Sequence, residues 1–405
     1  MEWGLRQEES CTFGPSVARL RAMQILRDLR ASGHAITGFA AVGFGWAALS
    51  AQMPAIKAQI EASDATYGTL AFLGSVGAIL AMFTAPLMHA WLGRVSMMVA
   101  LFVMVIGFVM VGAAHGPALF LIGLFLAAGG SGVADVLANA EVSEREAETG
   151  RSLMNLNHGL FSVAYALAAV AVGWARGVGW SPLMVFLGLI VAVGVMIPWM
   201  RLSVQAAQDD KAQTGRLPRA LVWLGGLVVL SAFLGEAASE GWSALHVERT
   251  LGGGPADGAR GPALLALGMA VGRLGGHFFA GHLPPLRVMV VASCLAGFGL
   301  ALAGVAPSIG LAYLGFAMGG LGVSVVGPLA LGLVGQAVPG HLRLKAISQA
   351  AAMGYGAFFL GPVLMGFIAE IYGLRISFYV IAGIMFVVAA ILLPLWAARL
   401  RALTN

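Results

Sequence analysis

Apolar residues fill twelve long blocks between residue 33 and the C-terminus, divided by short polar or glycine- and proline-marked breaks. The uncharged runs 177–200, 346–369 and 376–398 each suit one helix of about 20 residues, the length that crosses roughly 30 Å of hydrocarbon. Longer runs divide at turn signals: 95–134 at His115-Gly116-Pro117, and 288–342 at Ala306-Pro307-Ser308. The pattern predicts helical spans at 35–58, 67–90, 95–114, 118–142, 153–175, 182–201, 219–243, 261–282, 288–306, 309–337, 346–369 and 376–398. Short period-two segments, which a transmembrane barrel needs, do not recur, so helices are the spanning structure left. The expected fold class is an all-α membrane protein.

Composition agrees: 59% of residues are hydrophobic and 10% charged, whereas soluble domains carry roughly a quarter charged residues. The net charge of +5 acts as a topology signal. With the N-terminus inside, cytoplasmic segments hold 17 of the 23 Lys and Arg, which puts both termini in the cytoplasm by the positive-inside rule. Residues 1–33 lack the apolar centre of a signal peptide. Val17, Leu20, Met23 and Leu26 form one apolar face among Arg19, Arg21, Arg27 and Arg30, the pattern of a basic helix on the inner leaflet, although Met23 also offers an alternative start. Cys11 and Cys294 are too differently placed to form a disulfide. No second His or Cys shares a helix face with His158 at ligand spacing, and no cofactor motif or nucleic-acid module is visible, so neither a metal nor a cofactor is expected and the chain does not read as an enzyme.

The most polar internal linker, with Asp209, Asp210 and Lys211, falls between spans six and seven. The expected organisation is a cytoplasmic basic segment (1–33), a six-helix bundle (34–202), a cytoplasmic linker (203–218) and a second six-helix bundle with a short tail (219–405). A repeat supports this: Gly123-Leu-Phe to Asp135 aligns with Gly315-Phe-Ala to Gly327, each residue displaced by 192. Related halves with a solute site between them are a common plan among secondary transporters.

Several local strings resemble the major facilitator superfamily, and within it a fucose-permease-like branch of bacterial members. They are Met53-Pro54-Ala55-Ile56-Lys57, Ala134-Asp135-Val136 with Asn139-Ala140, Asn157-His158-Gly159-Leu160-Phe161-Ser162, Glu240-Gly241-Trp242-Ser243-Ala244-Leu245, and Val271-Gly272-Arg273-Leu274. The resemblance implies two pseudo-symmetric six-helix bundles and a carrier of the bacterial inner membrane. It also implies an acid on span four involved in proton coupling. The superfamily's loop between spans two and three usually carries an aspartate; here Ala90 stands in its place and Gly93-Arg94 remain. After span eight, His277, Gly281 and His282 replace the usual charges.

Ionisable groups inside hydrocarbon are costly and mark functional sites, so the few present lead the search. Asp135 and Asn139 lie four apart on one face of span four, with Asp135 about 10 Å into the bilayer at about 1.5 Å per residue. Asp135 reads either as a carboxyl group that takes up a proton as its surroundings change or as a structural acceptor. Asn155, His158, Ser162 and Tyr165 form one polar stripe on span five, and His158 reaches the depth of Asp135 or bonds a backbone carbonyl. Arg273 lies near the bilayer centre and needs a partner: Glu236 on span seven, or the solute. Glu236 and Glu240 are four apart; Glu236 is the deeper and a second proton-site candidate, and Glu240 is expected to face water.

Trp46, Ser50 and Gln52 on span one, and Gln349 and Tyr355 on span eleven, complete the candidate solute contacts. Arg94, Arg273 and Pro328 are the gating candidates, and Pro362 like Pro328 should bend its helix. The leading expectation is a monomeric, proton-coupled carrier of a small polar solute such as a sugar. Proton-driven export of amphipathic compounds, and a non-transporting scaffold with a closed core, are the alternatives.

Overall fold

The computed structural model describes residues 26–200, 202, 218–279, 283–339 and 342–404, and every regular element among them is helical. Ten stretches are long and apolar enough to cross a membrane. One of them, Asp64–Ala113, contains two rods broken at Gly93–Val95, and Pro255–Phe279, which holds Arg273, brings the spans to twelve.

In chain order the helices are α1 (Ala35–Gln59), α2 (Asp64–Leu92), α3 (Ser96–Ala113), α4 (Pro117–Thr149), α5 (Met154–Gly177), α6 (Pro182–Met196), α7 (Arg219–Leu245), α8 (Pro255–Phe279), α9 (Pro285–Val305) and α10 (Ile309–Gln336). Span eleven is split into α11 (Arg343–Tyr355) and α12 (Ala357–Tyr372). Span twelve is α13 (Leu374–Val387), a π-turn at Val388–Leu392 and α14 (Leu393–Thr404).

Local chemistry sets these ends. The Ser63 side chain accepts from Thr66 N to start α2, and Ser181 does the same from Met184 N ahead of Pro182. Helix α4 runs to Thr149, beyond the predicted 142, because its Glu- and Ala-rich tail favours helix. It stops where Gly150 turns left-handed (φ 66°) and donates to Glu146 O. The bend expected near Pro362 falls nearly two turns earlier, at Gly356, where the helical ladder is interrupted.

The two halves repeat one another at the level of touching backbones. A Cβ on Gly107 would meet Gly123 O at 2.5 Å, and one on Gly299 would meet Gly315 O at 2.7 Å, so α3 rests on α4 as α9 rests on α10. Gly130 fits against Ala100 and Met104 as Gly322 fits against Ala292 and Ala296. All of these positions recur 192 residues later in the chain. At the helix ends, Gln59 donates to Gly112 O and Ala114 O of α3, while His246 Nε2 meets Ala303 O of α9 at 3.0 Å. Two pseudo-symmetric six-helix bundles result.

Two seams join the bundles. Helix α5 packs along α8, with Gly159 against Leu274 and Gly173 against Ala259. Helix α2 meets α12 through Gly68 on Pro362 and Gly366 on Asp64, near the end of the molecule opposite the termini. Deeper along α2, Gly74 and Gly77 turn to α4 instead. The bundles are therefore shut at that opposite end.

The outer surface is apolar, as lipid requires: Phe83 is 71% exposed and Val191 67%. Exposed Trp91, Trp199 and Trp223 ring the termini end, and Trp174, Trp180 and Tyr372 the other, as aromatic belts at two interfaces do. Most of the expected basic segment and linker, together with Cys11, Gly281, His282 and the His277 side chain, lies outside the described residues. Residues 26–32 form a helix that packs on the start of α5: Asp28 pairs with Arg151, and Asn157 donates to Ser32 Oγ at 2.9 Å. That part of the segment is tied to the N-terminal bundle.

Candidate functional site

A cavity of about 360 Å³ lies between the bundles, closed at the end opposite the termini. Its N-terminal wall is built by α1 (Trp46, Ser50), α2 (Tyr67, Ser75), α4 (Ser131, Asp135) and α5 (His158, Phe161). Helices α7 (Phe233, Glu236, Glu240), α8 (Arg273), α11 (Tyr355) and α12 (Phe358, Phe359) build the other wall. Asp135, His158, Glu236, Glu240 and Arg273 all face this one space.

A chain of polar contacts runs through it from half to half. Arg273 Nη2 donates to both carboxylate oxygens of Glu236, at 3.0 and 3.2 Å, and its Nη1 donates to Ser162 Oγ at 2.7 Å. Ser162 donates in turn to His158 O at 3.0 Å. His158 Nε2 lies 3.2 Å from Asn139 Oδ1, and Asn139 Nδ2 donates to the backbone carbonyl of Asp135 at 2.8 Å. Because the Asn139 amide gives its protons to that carbonyl, its oxygen is left to accept, and His158 Nε2 is the donor. His158 and Asp135 thus communicate through Asn139 and not by direct contact.

Arg273 resolves toward the ion-pair alternative, since both of its terminal nitrogens are spent on Glu236 and Ser162. The Asp135 carboxylate differs. Among the described residues no Lys, Arg or His nitrogen comes within 4.0 Å of it. It faces the cavity, with Tyr355 on the opposite wall.

Glu240, expected in water, is instead held inside the closed end of the cavity beside Glu236, because Tyr67 and Trp242 cap that end edge-to-face at 5.9 Å. Tyr165 is fully buried behind Ser50. Trp46 donates to Ser131 Oγ at 3.2 Å and lies edge-on to Phe108.

Other candidates lie elsewhere. Gln52 is fully buried on the far side of α1 and donates to its own helix at Ala48 O. Asn155 and Gln349 do not reach the cavity wall. Arg94 is exposed at the turn between α2 and α3, and Pro328 is exposed on α10, so neither touches the cavity.

Sequence reasoning missed the lock at the closed end. Asp64, 3% exposed at the start of α2, accepts a two-pronged pair from Arg249 at 2.8 and 2.6 Å and lies 3.0 Å from Lys57 Nζ. Glu370 Oε2 on α12 accepts from Asp64 N at 2.8 Å. Arg176 at the end of α5 grips Glu248 at 2.6 and 3.1 Å and also donates to Ala51 O. Glu248 and Arg249 sit in the π-turn His246–Thr250, whose altered pitch turns both toward the N-terminal half. Gly258 makes room for Glu248, since a Cβ there would lie 2.1 Å from its carboxylate.

Twelve membrane-length helices around an ionisable cavity shared by two matching bundles define a polytopic membrane transport protein. Residues 262–403 match the family model of the Major Facilitator Superfamily. The chain is 28% identical to an uncharacterised MFS-type transporter of Yersinia pestis, over 87% of this chain and 92% of that one. It is 29% identical to an uncharacterised transporter of Sinorhizobium fredii, over 88% and 96% of the two. The C-terminal third of the chain is thus similar to the Major Facilitator Superfamily, and nearly its whole length to bacterial MFS-type transporters.

Solved structures share the fold. A D-xylose-proton symporter superimposes with a TM-score of 0.69 at 13% identity, covering 89% of this chain and 95% of that one. An inward-facing, occupied bacterial homologue of the lysosomal transporter Spinster gives 0.65 at 16% identity, covering 90% and 96%.

Proposed function

We propose that this protein is a secondary active transporter that moves a small organic solute across the bacterial cytoplasmic membrane by alternating access, with protons as the coupling ion. The moving units are residues 34–202 and 219–405, and both termini lie in the cytoplasm, as the distribution of Lys and Arg argues. In this orientation the closed end of the cavity is the outer one.

The observation that supports the reading most is Asp135. Among the described residues it is an intramembrane carboxylate without a cationic partner, and it lines the same cavity as the Arg273–Glu236 pair of the other half. Protonation of such a group changes the charge of the cavity and so the balance between packings of the halves. A closed core, which a scaffold would show, is disfavoured by the cavity itself.

The phenylalanines of the wall favour amphipathic solutes over sugars as a second reading within the same class. The test begins with a thermal-shift screen of the purified protein against sugars, organic acids and amphipathic compounds, since ligands that bind the folded form stabilise it by mass action. In proteoliposomes with the best ligand, Asp135→Asn is expected to lose dependence on an imposed pH gradient while retaining counterflow. Unchanged coupling in that variant would remove Asp135 from the mechanism.

A further inference from the structure

Charge in the cavity does not balance. Asp135, Glu236 and Glu240 contribute three carboxyl groups, and Arg273 is the one Lys or Arg among its lining residues. That guanidinium is committed to Glu236 and Ser162. From the elements packed around Asp135, the ionisable groups that face the cavity are His158 on α5, Tyr355 on α11, Tyr67 on α2, Arg273 on α8, and Glu236 and Glu240 on α7; α1 adds Trp46 and Ser50, which carry no charge.

The cavity that the Asp135 carboxylate faces is walled largely by aromatic rings. Phe233, Tyr355 and Phe358 form one cluster with ring centroids 5.8 to 6.3 Å apart, and Phe72 and Phe359 meet edge-on beside it. Met82, Ile79 and Phe161 complete an apolar wall. A carboxylate beside π-faces is complementary to a positive charge on an apolar frame: the acid supplies the counter-ion, and the rings attract the cation through their quadrupoles. A neutral sugar would find few hydrogen-bond groups here, and an anion would meet the excess of acids.

We infer that the solute is an amphipathic organic monocation whose charged head sits at Asp135 against Tyr355 and Phe358. This rests on the transport reading above and names the substrate class of that same cavity. Proton and solute then compete for one carboxylate, so occupation by either excludes the other. Exchange of the two across the membrane is antiport, and it makes the carrier an exporter when the proton gradient points inward.

The test uses the full chain in detergent and tetraphenylphosphonium as the probe, with tetraphenylborate as the same shape of opposite charge and galactose as the neutral polar solute. Radiolabelled tetraphenylphosphonium is expected to bind in scintillation proximity. Its affinity should fall as pH falls, approaching about tenfold per pH unit where one proton competes for the site. Binding in unbuffered solution should release a proton. Asp135→Asn should lose tenfold or more in affinity together with the pH dependence and the proton release, and Asp135→Glu should restore all three, which separates a lost site from a misfolded protein.

Retention of binding and of its pH dependence in Asp135→Asn overturns the inference, as does preference for tetraphenylborate or galactose. The two readings fail separately. Gradient-driven galactose movement without affinity for tetraphenylphosphonium keeps the transporter and discards the cation. Binding of tetraphenylphosphonium at Asp135 with no gradient-driven movement of it keeps the cation site and discards transport.

Discussion

Arg273 connects both halves through one side chain, because a planar fork reaches Glu236 with one nitrogen and Ser162 with the other. A lysine keeps the charge but cannot serve two partners in that geometry. Arg273 and Glu236 are each 10% exposed at the side chain, so removing one partner leaves the other charge uncompensated. Arg273→Leu is expected to destabilise the protein by about 3–5 kcal/mol. Combined with Glu236→Gln it should cost less than alone, a difference read from thermal unfolding of the two variants side by side.

This pair was legible in the sequence because a charge deep in an apolar run demands a partner, and span seven offered Glu236. Gln52 misled because α1 is apolar nearly all round. Ser50 and Gln52 stand two positions apart, about 200° around a helix with 3.6 residues per turn, so both cannot line one cavity. The locking residues Asp64, Arg176, Glu248, Arg249 and Glu370 read as ordinary loop-end charges. Their partners lie far away in the chain, and only folding brings them together.

At the scale of the element, most span limits were readable to within about three residues, since hydrocarbon thickness and turn residues both constrain them, while the end of α4, the start of α8 and the end of α14 run six or seven residues further. Breaks inside the helices were not. The π-turn His246–Thr250 and the interruption at Gly356 leave no distinctive residue pattern, and both belong to the wall or the lock of the cavity.

Glycine positions decide how closely helices approach. Gly107→Ala would put a Cβ 2.3 Å from Ala127 N, a backbone atom that cannot step aside. A loss of about 1–3 kcal/mol is expected, as for other overpacked contacts. Gly194 on α6 has nothing within 4 Å of its would-be Cβ, so Gly194→Ala should hold or raise stability. Thermal melting of the two variants in one detergent checks the contrast.

For the whole molecule, ion pairs hold the end opposite the termini closed. Arg176→Ala with Glu248→Ala removes a lock and its partner together, which avoids an orphaned charge and should shift the population toward opening at that end. Spin labels at Ala118 and Gly310, exposed positions near the starts of α4 and α10, should report a longer distance component in the double variant. An unchanged distance distribution would show that Asp64, Arg249 and Glu370 suffice to keep that end shut.

The seam between α2 and α12 meets glycine to backbone, at Gly68 and Gly366, with no interleaved side chains along its tightest stretch. Parting such a joint requires no rotamer to disengage, so it slides like a bare hinge pin. Friction against reorientation then resides in the charged clasp above it, and turnover should answer to residues at that clasp far more than to bulk added elsewhere along the lipid-facing rods.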